Sequence, residues 1–233
     1  MNNRILLLPS CEKGRGGGHL FRCTALARDL AAAGTETTLF TDNISDIKEK
    51  TWDLVVLDRF RTTREEIKSY LALGPLVGID EGLSRNDCDF LLDLLPLPAA
   101  EKPNLCAPYL LPLPEKRRAS FSAGSNPQNI LVSFGAEDAA GLTVPAALAV
   151  QNMTGSVISI SVVLGPLQNS SQSKSNREIL EQAGINVIQG SSGFELKETL
   201  ADYDLLVTHF GLSAFEAIHA RVPVLLVNPG SYH

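Results

Sequence analysis

The chain has 233 residues, 44% hydrophobic and 20% charged, with 20 Lys+Arg against 26 Asp+Glu and a formal net charge of -6. That profile is globular rather than disordered or fibrous, and its length suits one large domain or two small ones. The acidic balance, with no basic run longer than Lys116-Arg117-Arg118, argues against non-specific binding to nucleic acid or an anionic membrane.

The first apolar run, Ile5 to Leu8, precedes Pro9-Ser10-Cys11 and superficially resembles a lipoprotein signal. It is far short of a signal peptide's core and reads as a buried first strand. No apolar stretch approaches the ~20 residues of a membrane span. Four glycines follow (Gly14, Gly16, Gly17, Gly18), then a helical pattern from Leu20 to Ala31, closed by Gly34. Residues 37–41 form the next expected strand. Leu54 to Leu57, ending at Asp58, is a continuous apolar run of the kind buried on both faces of a sheet. A helix over 64–73, a strand over 76–79 ending at Asp80, and a strand over 90–92 complete the first half.

From Pro96 to Pro127 the alternation breaks, with seven prolines and a polar patch at 120–126. It then restarts: strand 130–132, helix 144–151, strand 158–163, helix 176–183 and strand 186–188. Helix 195–200, strand 205–207, helix 213–220 and strand 224–227 follow. Strands alternating with helices imply parallel sheets. The expected architecture is α/β, two Rossmann-like parallel-sheet domains facing across a cleft. The expected boundaries are 1–116 for the first domain, 117–128 for a linker and 129–233 for the second.

The glycine loop begins like a dinucleotide fingerprint with Gly14-Arg15-Gly16, but His19 stands at the third glycine position, and Asp42 follows only a weak strand. No P-loop pattern is present, so no cofactor is expected. The cysteines (Cys11, Cys23, Cys88, Cys106) form no C-x-x-C pair and no zinc spacing with histidine, so no metal is expected and reduced, cytoplasmic thiols are the default. His19, in the first turn of the helix after the first strand, is either a general base or a turn cap. Asp58 and Asp80, ending adjacent strands, either bind the polar groups of a ligand or cap the following turns. His209 and His219 read as structural, and Trp52 as packing.

Gly16-Gly17-Gly18-His19-Leu20-Phe21-Arg22-Cys23-Thr24-Ala25-Leu26-Ala27 resembles the G-x-G-H-x-x-R-C-x-x-L-A segment of the nucleotide-sugar hydrolases of pseudaminic acid synthesis. Those enzymes are relatives of the bacterial lipid-linked UDP-sugar glycosyltransferases. Val56-Leu57-Asp58-Arg59-Phe60 is similar to the family's strand ending D-x-Y, with Phe60 in place of tyrosine. Gly78-Ile79-Asp80-Glu81, Arg85…Cys88-Asp89-Phe90-Leu91-Leu92 and Ser133-Phe134-Gly135-Ala136-Glu137-Asp138 resemble further family segments. The departures are Phe60, Leu113 where the family has arginine, and the lack of a second glycine after Gly135.

The resemblance implies a GT-B arrangement with a UDP-sugar substrate. It implies His19 as the base, with Gly17, Gly18, Arg22, Asp58 and Asp80 toward the sugar. The UDP would fall to Gly135, to Ile188 and Gly190 by the uracil, to the amides of Leu212 and Ser213 at a helix start, and to Glu216 by the ribose. Gly211 would permit a tight turn before that helix. The implied reaction is hydrolysis of a UDP-linked N-acetylated deoxysugar, with His19 drawing a proton from water. The alternatives are an inverting glycosyltransferase, in which His19 serves an acceptor hydroxyl, and a non-catalytic UDP-sugar-binding module. The chain stops soon after the last expected strand, where these families continue into further helices. The second domain is therefore expected to be incomplete at that end, with apolar surface that a homodimer or another partner covers.

Overall fold

A computed structural model describes residues 3–12, 17–41, 47, 51–95, 102–119, 126–154, 158–190 and 196–228. Gly14, Arg15, Gly16, Asp42, Pro96, Pro98, Glu195 and residues 229–233 lie outside the described residues. The chain divides into two compact units, Met1–Leu111 and Pro112–His233.

The first unit runs β1 (Arg4–Pro9), α1 (Gly18–Ala32), β2 (Glu36–Leu39), β3 (Leu54–Asp58), α2 (Arg64–Leu71), β4 (Leu76–Ile79), β5 (Phe90–Asp93) and β6 (Leu105–Cys106). All strand pairs are parallel, in the order β2-β1-β3-β4-β5-β6. The strands are short apolar runs because both faces are covered. Leu6, Leu8, Val55 and Leu57 pack with Ile67 and Tyr70 of α2, together with Trp52 and Leu73. The intervening Leu7, Val56 and Asp58 are buried as well. α2 starts sharply because Thr63 and Glu66 form a reciprocal capping box. Between β1 and β3 the direction of winding reverses, and a crevice outside the carboxyl ends of those two strands is where such sheets bind ligands.

The second unit runs β7 (Asn129–Val132), α3 (Thr143–Thr154), β8 (Ser159–Leu164), α4 (Ser170–Gln182), β9 (Asn186–Gln189), α5 (Leu196–Thr199), β10 (Leu205–Thr208), α6 (Leu212–His219) and β11 (Val224–Leu226). Its parallel order is β11-β10-β7-β8-β9, the Rossmann order, with the reversal between β7 and β10. Ile130 and Val132 pack on one face with Ala147, Val162 and Leu180, whereas Leu131 packs on the other with Leu206, Ala217 and Ala220. Ahead of β7, the Arg118 amide donates to Ala220 O and its guanidinium to Asp204 Oδ1 at 2.7 Å.

Several elements differ from their expected bounds. β6 falls inside the proline-rich stretch; two residues pairing with β5 leave no periodic trace. α4 begins six residues before the expected 176, because Asn169 accepts the Ser171 amide and caps a first turn made wholly of polar residues. α2 ends at Leu71 rather than 73, where Ala72 caps it and Leu73 turns into the core. β2 spans 36–39, so Thr41 is an exposed residue beyond the strand rather than part of it. No helix among the described residues is long and apolar enough to cross a membrane.

Candidate active site

In the first unit the chemistry gathers where β3 ends beside α1. His19, Arg22 and Cys23 stand at i, i+3 and i+4, one face of a helix, and that face meets Asp58, the last residue of β3. His19 Nδ1 lies 2.6 Å from Asp58 Oδ1. Arg22 donates from Nε to Asp58 Oδ2 at 2.7 Å and from Nη2 to Oδ1 at 2.6 Å, a bidentate pair. Its Nη1 donates to Asp80 Oδ2 at 2.6 Å. The other oxygen of Asp80 accepts the Leu94 and Leu95 amides at 2.7 and 2.9 Å, tying the end of β4 to the end of β5. Asp80 does this from a left-handed backbone, φ +49°.

Burial sets the electrostatics. Asp58 is fully buried, which alone would raise its pKa, but the charge and hydrogen bonds of Arg22, and then His19, hold it below the ordinary carboxylate range. For Arg22, burial pulls toward the neutral form and is overcome by Asp58 and Asp80, which hold the guanidinium charged. Burial, followed by the nearby Asp58 charge, pushes the Cys23 thiol well up, so it is no nucleophile. One guanidinium faces two carboxylates here. With Nδ1–H donated to Asp58, Nε2 is the ring nitrogen left to accept a proton.

Gly17 caps α1 without a side-chain cap and is buried. Gly18 is exposed, and a Cβ there would meet nothing within 4 Å. The other buried polar groups of this unit are structural. Glu81 accepts from the Thr62 hydroxyl at 2.8 Å and from the Thr62, Leu83 and Ser84 amides. Arg85 pairs with Asp93 through two bonds of 3.0 and 2.9 Å. Partners 19 and 8 residues apart carry no local pattern, so neither pairing is legible in the sequence.

In the second unit, Gly135 (φ +76°) follows β7, and His209, Phe210 and Gly211 follow β10, on the two sides of the reversal. His209 is wedged there, with Nδ1 2.9 Å from Phe210 O and Nε2 3.2 Å from Phe134 O. Gly211, the residue before α6, has an extended backbone (φ 161°) in the three-residue link from β10. Leu212 and Ser213 open α6, where the first amides lack intrahelical partners. Glu216 is 7% exposed, which sets it apart from a solvated surface glutamate. Ile188 lies on β9, paired with β8, and its side chain packs into the core. The Gly190 amide donates to Leu164 O at 2.8 Å, and a Cβ at Gly190 would sit equally close to that oxygen. Among the described residues no group of three or more His, Cys, Asp or Glu could hold a metal ion.

No protein-family model and no curated protein matches the chain. Solved structures do. MurG of Acinetobacter baumannii is similar over 98% of this chain and 79% of its own, at 14% identity and a TM-score of 0.57. The apo form of the lipopolysaccharide outer core galactosyltransferase WaaB covers 97% of this chain and 82% of its own, at 11% identity and a TM-score of 0.45. The GtfA/B complex covers 78% and 43%, at 14% identity and 0.41. The MurG likeness shows the fold, a MurG-like pair of Rossmann-like domains.

Proposed function

We propose that the chain is a UDP-sugar-dependent enzyme of inverting glycosyl transfer, in which His19 deprotonates the hydroxyl that attacks the anomeric carbon. The observation that carries this reading is the His19–Asp58–Arg22 cluster, which holds an imidazole by Nδ1 at the carboxyl edge of a Rossmann-like sheet. His19 Nε2 takes the hydroxyl proton as the new C–O bond forms. The bond from the anomeric carbon to the phosphate oxygen breaks, and UDP departs with its electron pair. General-base assistance of this kind contributes about 10²–10⁴-fold in rate. Asp58 and Arg22 act as positioning residues for His19, with Asp80 holding Arg22. Gly17 and Gly18 leave the space for the sugar.

The second unit supplies the UDP contacts in this reading. The amides of Leu212 and Ser213 and the turn at Gly135 take the diphosphate. Glu216 takes the ribose hydroxyls, and the backbone at Ile188 and Gly190 takes the uracil. The MurG-like fold supports the assignment.

A second reading, hydrolysis, is favoured by the resemblance of residues 16–27 to nucleotide-sugar hydrolases. Water then takes the place of the acceptor, with the same base. The deciding experiment follows UDP release from UDP-N-acetylglucosamine, UDP-glucose and the UDP-linked diacetamido-trideoxy-altrose, with and without a saccharide acceptor. Acceptor-dependent release is the expected result. Acceptor-independent release gives hydrolysis, and bound UDP without release from any donor leaves a binding module.

A further inference from the structure

His209, expected to be structural, joins two strand ends that are 75 residues apart in the chain. It opens the three-residue link between β10 and α6, and its ring reaches across to the end of β7. Nε2 is 3.2 Å from Phe134 O, and Nδ1 is 2.9 Å from Phe210 O. A neutral imidazole donates to one of these carbonyls and an imidazolium to both. The ring also lies against the glycine that follows each carbonyl. A Cβ on Gly135 would fall 3.5 Å from Nε2, and one on Gly211 would fall 3.5 Å from Cε1 and Nδ1. From the other side, Asn228 Oδ1, after β11, accepts the Phe210 amide at 2.8 Å. The link is thereby tied to both strands that flank β10 in the sheet.

These contacts orient two peptides. In a planar trans peptide the C=O and the N–H that follows it point in opposite directions. With the Phe134 and Phe210 carbonyls turned toward the ring, the Gly135 and Gly211 amides are turned away from it. Neither amide has a hydrogen-bond partner among the described residues. They stand on the two sides of the reversal between β7 and β10, where sheets of this order bind ligands, and Gly211 leads directly into Leu212 and Ser213.

We infer that His209 is the positioning residue of the diphosphate site, a role that rests on the UDP-sugar function proposed above. By holding the Phe134 and Phe210 carbonyls it presents the Gly135 and Gly211 amides to the phosphate oxygens. It acts through the two peptides rather than by touching the nucleotide.

The test follows amide NMR of isotope-labelled protein titrated with UDP, inorganic pyrophosphate and uridine. Affinities and melting are measured for wild type, His209→Phe and His209→Gln. In wild type, UDP and pyrophosphate should shift the Gly135 and Gly211 amide resonances, and uridine should not. His209→Phe keeps a ring but has no donor. It should weaken UDP about 10–100-fold, the loss expected for hydrogen bonds to a charged group, and leave uridine affinity unchanged. His209→Gln, which restores a side-chain N–H, should recover part of the loss. Uridine lacks the phosphates, so a purely structural role would weaken UDP and uridine alike, and that result overturns the inference. So does UDP binding that leaves both glycine amides unmoved, or UDP affinity retained in His209→Phe. Each of these leaves the proposed function standing. If His209→Phe fails to fold, the wild-type amide shifts and His209→Gln decide. Pyrophosphate shifts at both amides in protein that binds neither UDP nor uridine would keep the anion site that His209 positions and remove the UDP-sugar function. No response to either UDP or pyrophosphate overturns both.

Discussion

Asp58 answers two groups at once, holding His19 Nδ1 and balancing the buried Arg22. Asp58→Asn keeps the shape but strips the charge, leaving a guanidinium buried with less than its counter-charge. Removing one partner of such a pair costs about 3–5 kcal/mol, which urea unfolding monitored by circular dichroism should show. The same residue sets an acid limit. Its folded pKa is depressed below the ~3.9 of an unfolded aspartate, so the unfolded chain takes up the proton first as pH falls. The stability it contributes is complete above that unfolded value and is lost as pH drops through the folded one. A stability profile below pH ~4 should therefore flatten in Asp58→Asn relative to wild type. A slope in the variant as steep as in wild type would place the acid limit elsewhere. The H-x-x-R-C spacing that puts His19, Arg22 and Cys23 on one helix face is legible in the sequence. Their shared partner, 39 residues from His19, is not, because which strand end lies beside α1 depends on the order of strands in the sheet.

Elements were legible where burial leaves a run. β3, β4, β7 and β10 are continuous apolar stretches, and the bounds read from sequence agree with the structure to within a residue. The polar first turn of α4 and the two-residue β6 had no such trace. Loops pack as tightly as strands at the carboxyl edge of the second sheet. A Cβ on Gly165, after β8, would fall 2.2 Å from Ala136 O and 2.4 Å from Gly135 O, and Leu167 donates its amide to that same Ala136 oxygen. Gly165→Ala should destabilise the second unit by at least the ~1–3 kcal/mol of ordinary overpacking, read as an earlier thermal transition. Gly18 contrasts with it. A Cβ there meets nothing, so Gly18→Ala should leave melting unchanged or raise it slightly. Turnover should nonetheless fall in Gly18→Ala if the sugar needs that space, and full activity would remove Gly18 from the binding surface.

At the scale of the molecule, the two units repeat one plan: a parallel sheet, reversed once, with polar groups collected at the carboxyl end of the reversal. The alternation of apolar runs and helical patterns is enough to specify that plan, since both faces of each sheet are buried by the helices between strands. The substrate is harder to read, because backbone amides such as those of Leu212 and Ser213 leave little trace in side-chain identity. Hydrogen exchange tests the division of labour. Added UDP should protect residues 134–136, 188–190 and 209–216 while β1 and β3 keep their exchange rates. Protection confined to the first unit would reverse the assignment.

The most direct test of the account is UDP release from a UDP-sugar donor by wild type and by His19→Ala, with UDP affinity and melting measured on the same preparations. The account predicts a loss of release of about 10²–10⁴-fold with UDP affinity and melting retained. Unchanged turnover in His19→Ala would contradict it and take the His19–Asp58 pair out of the mechanism.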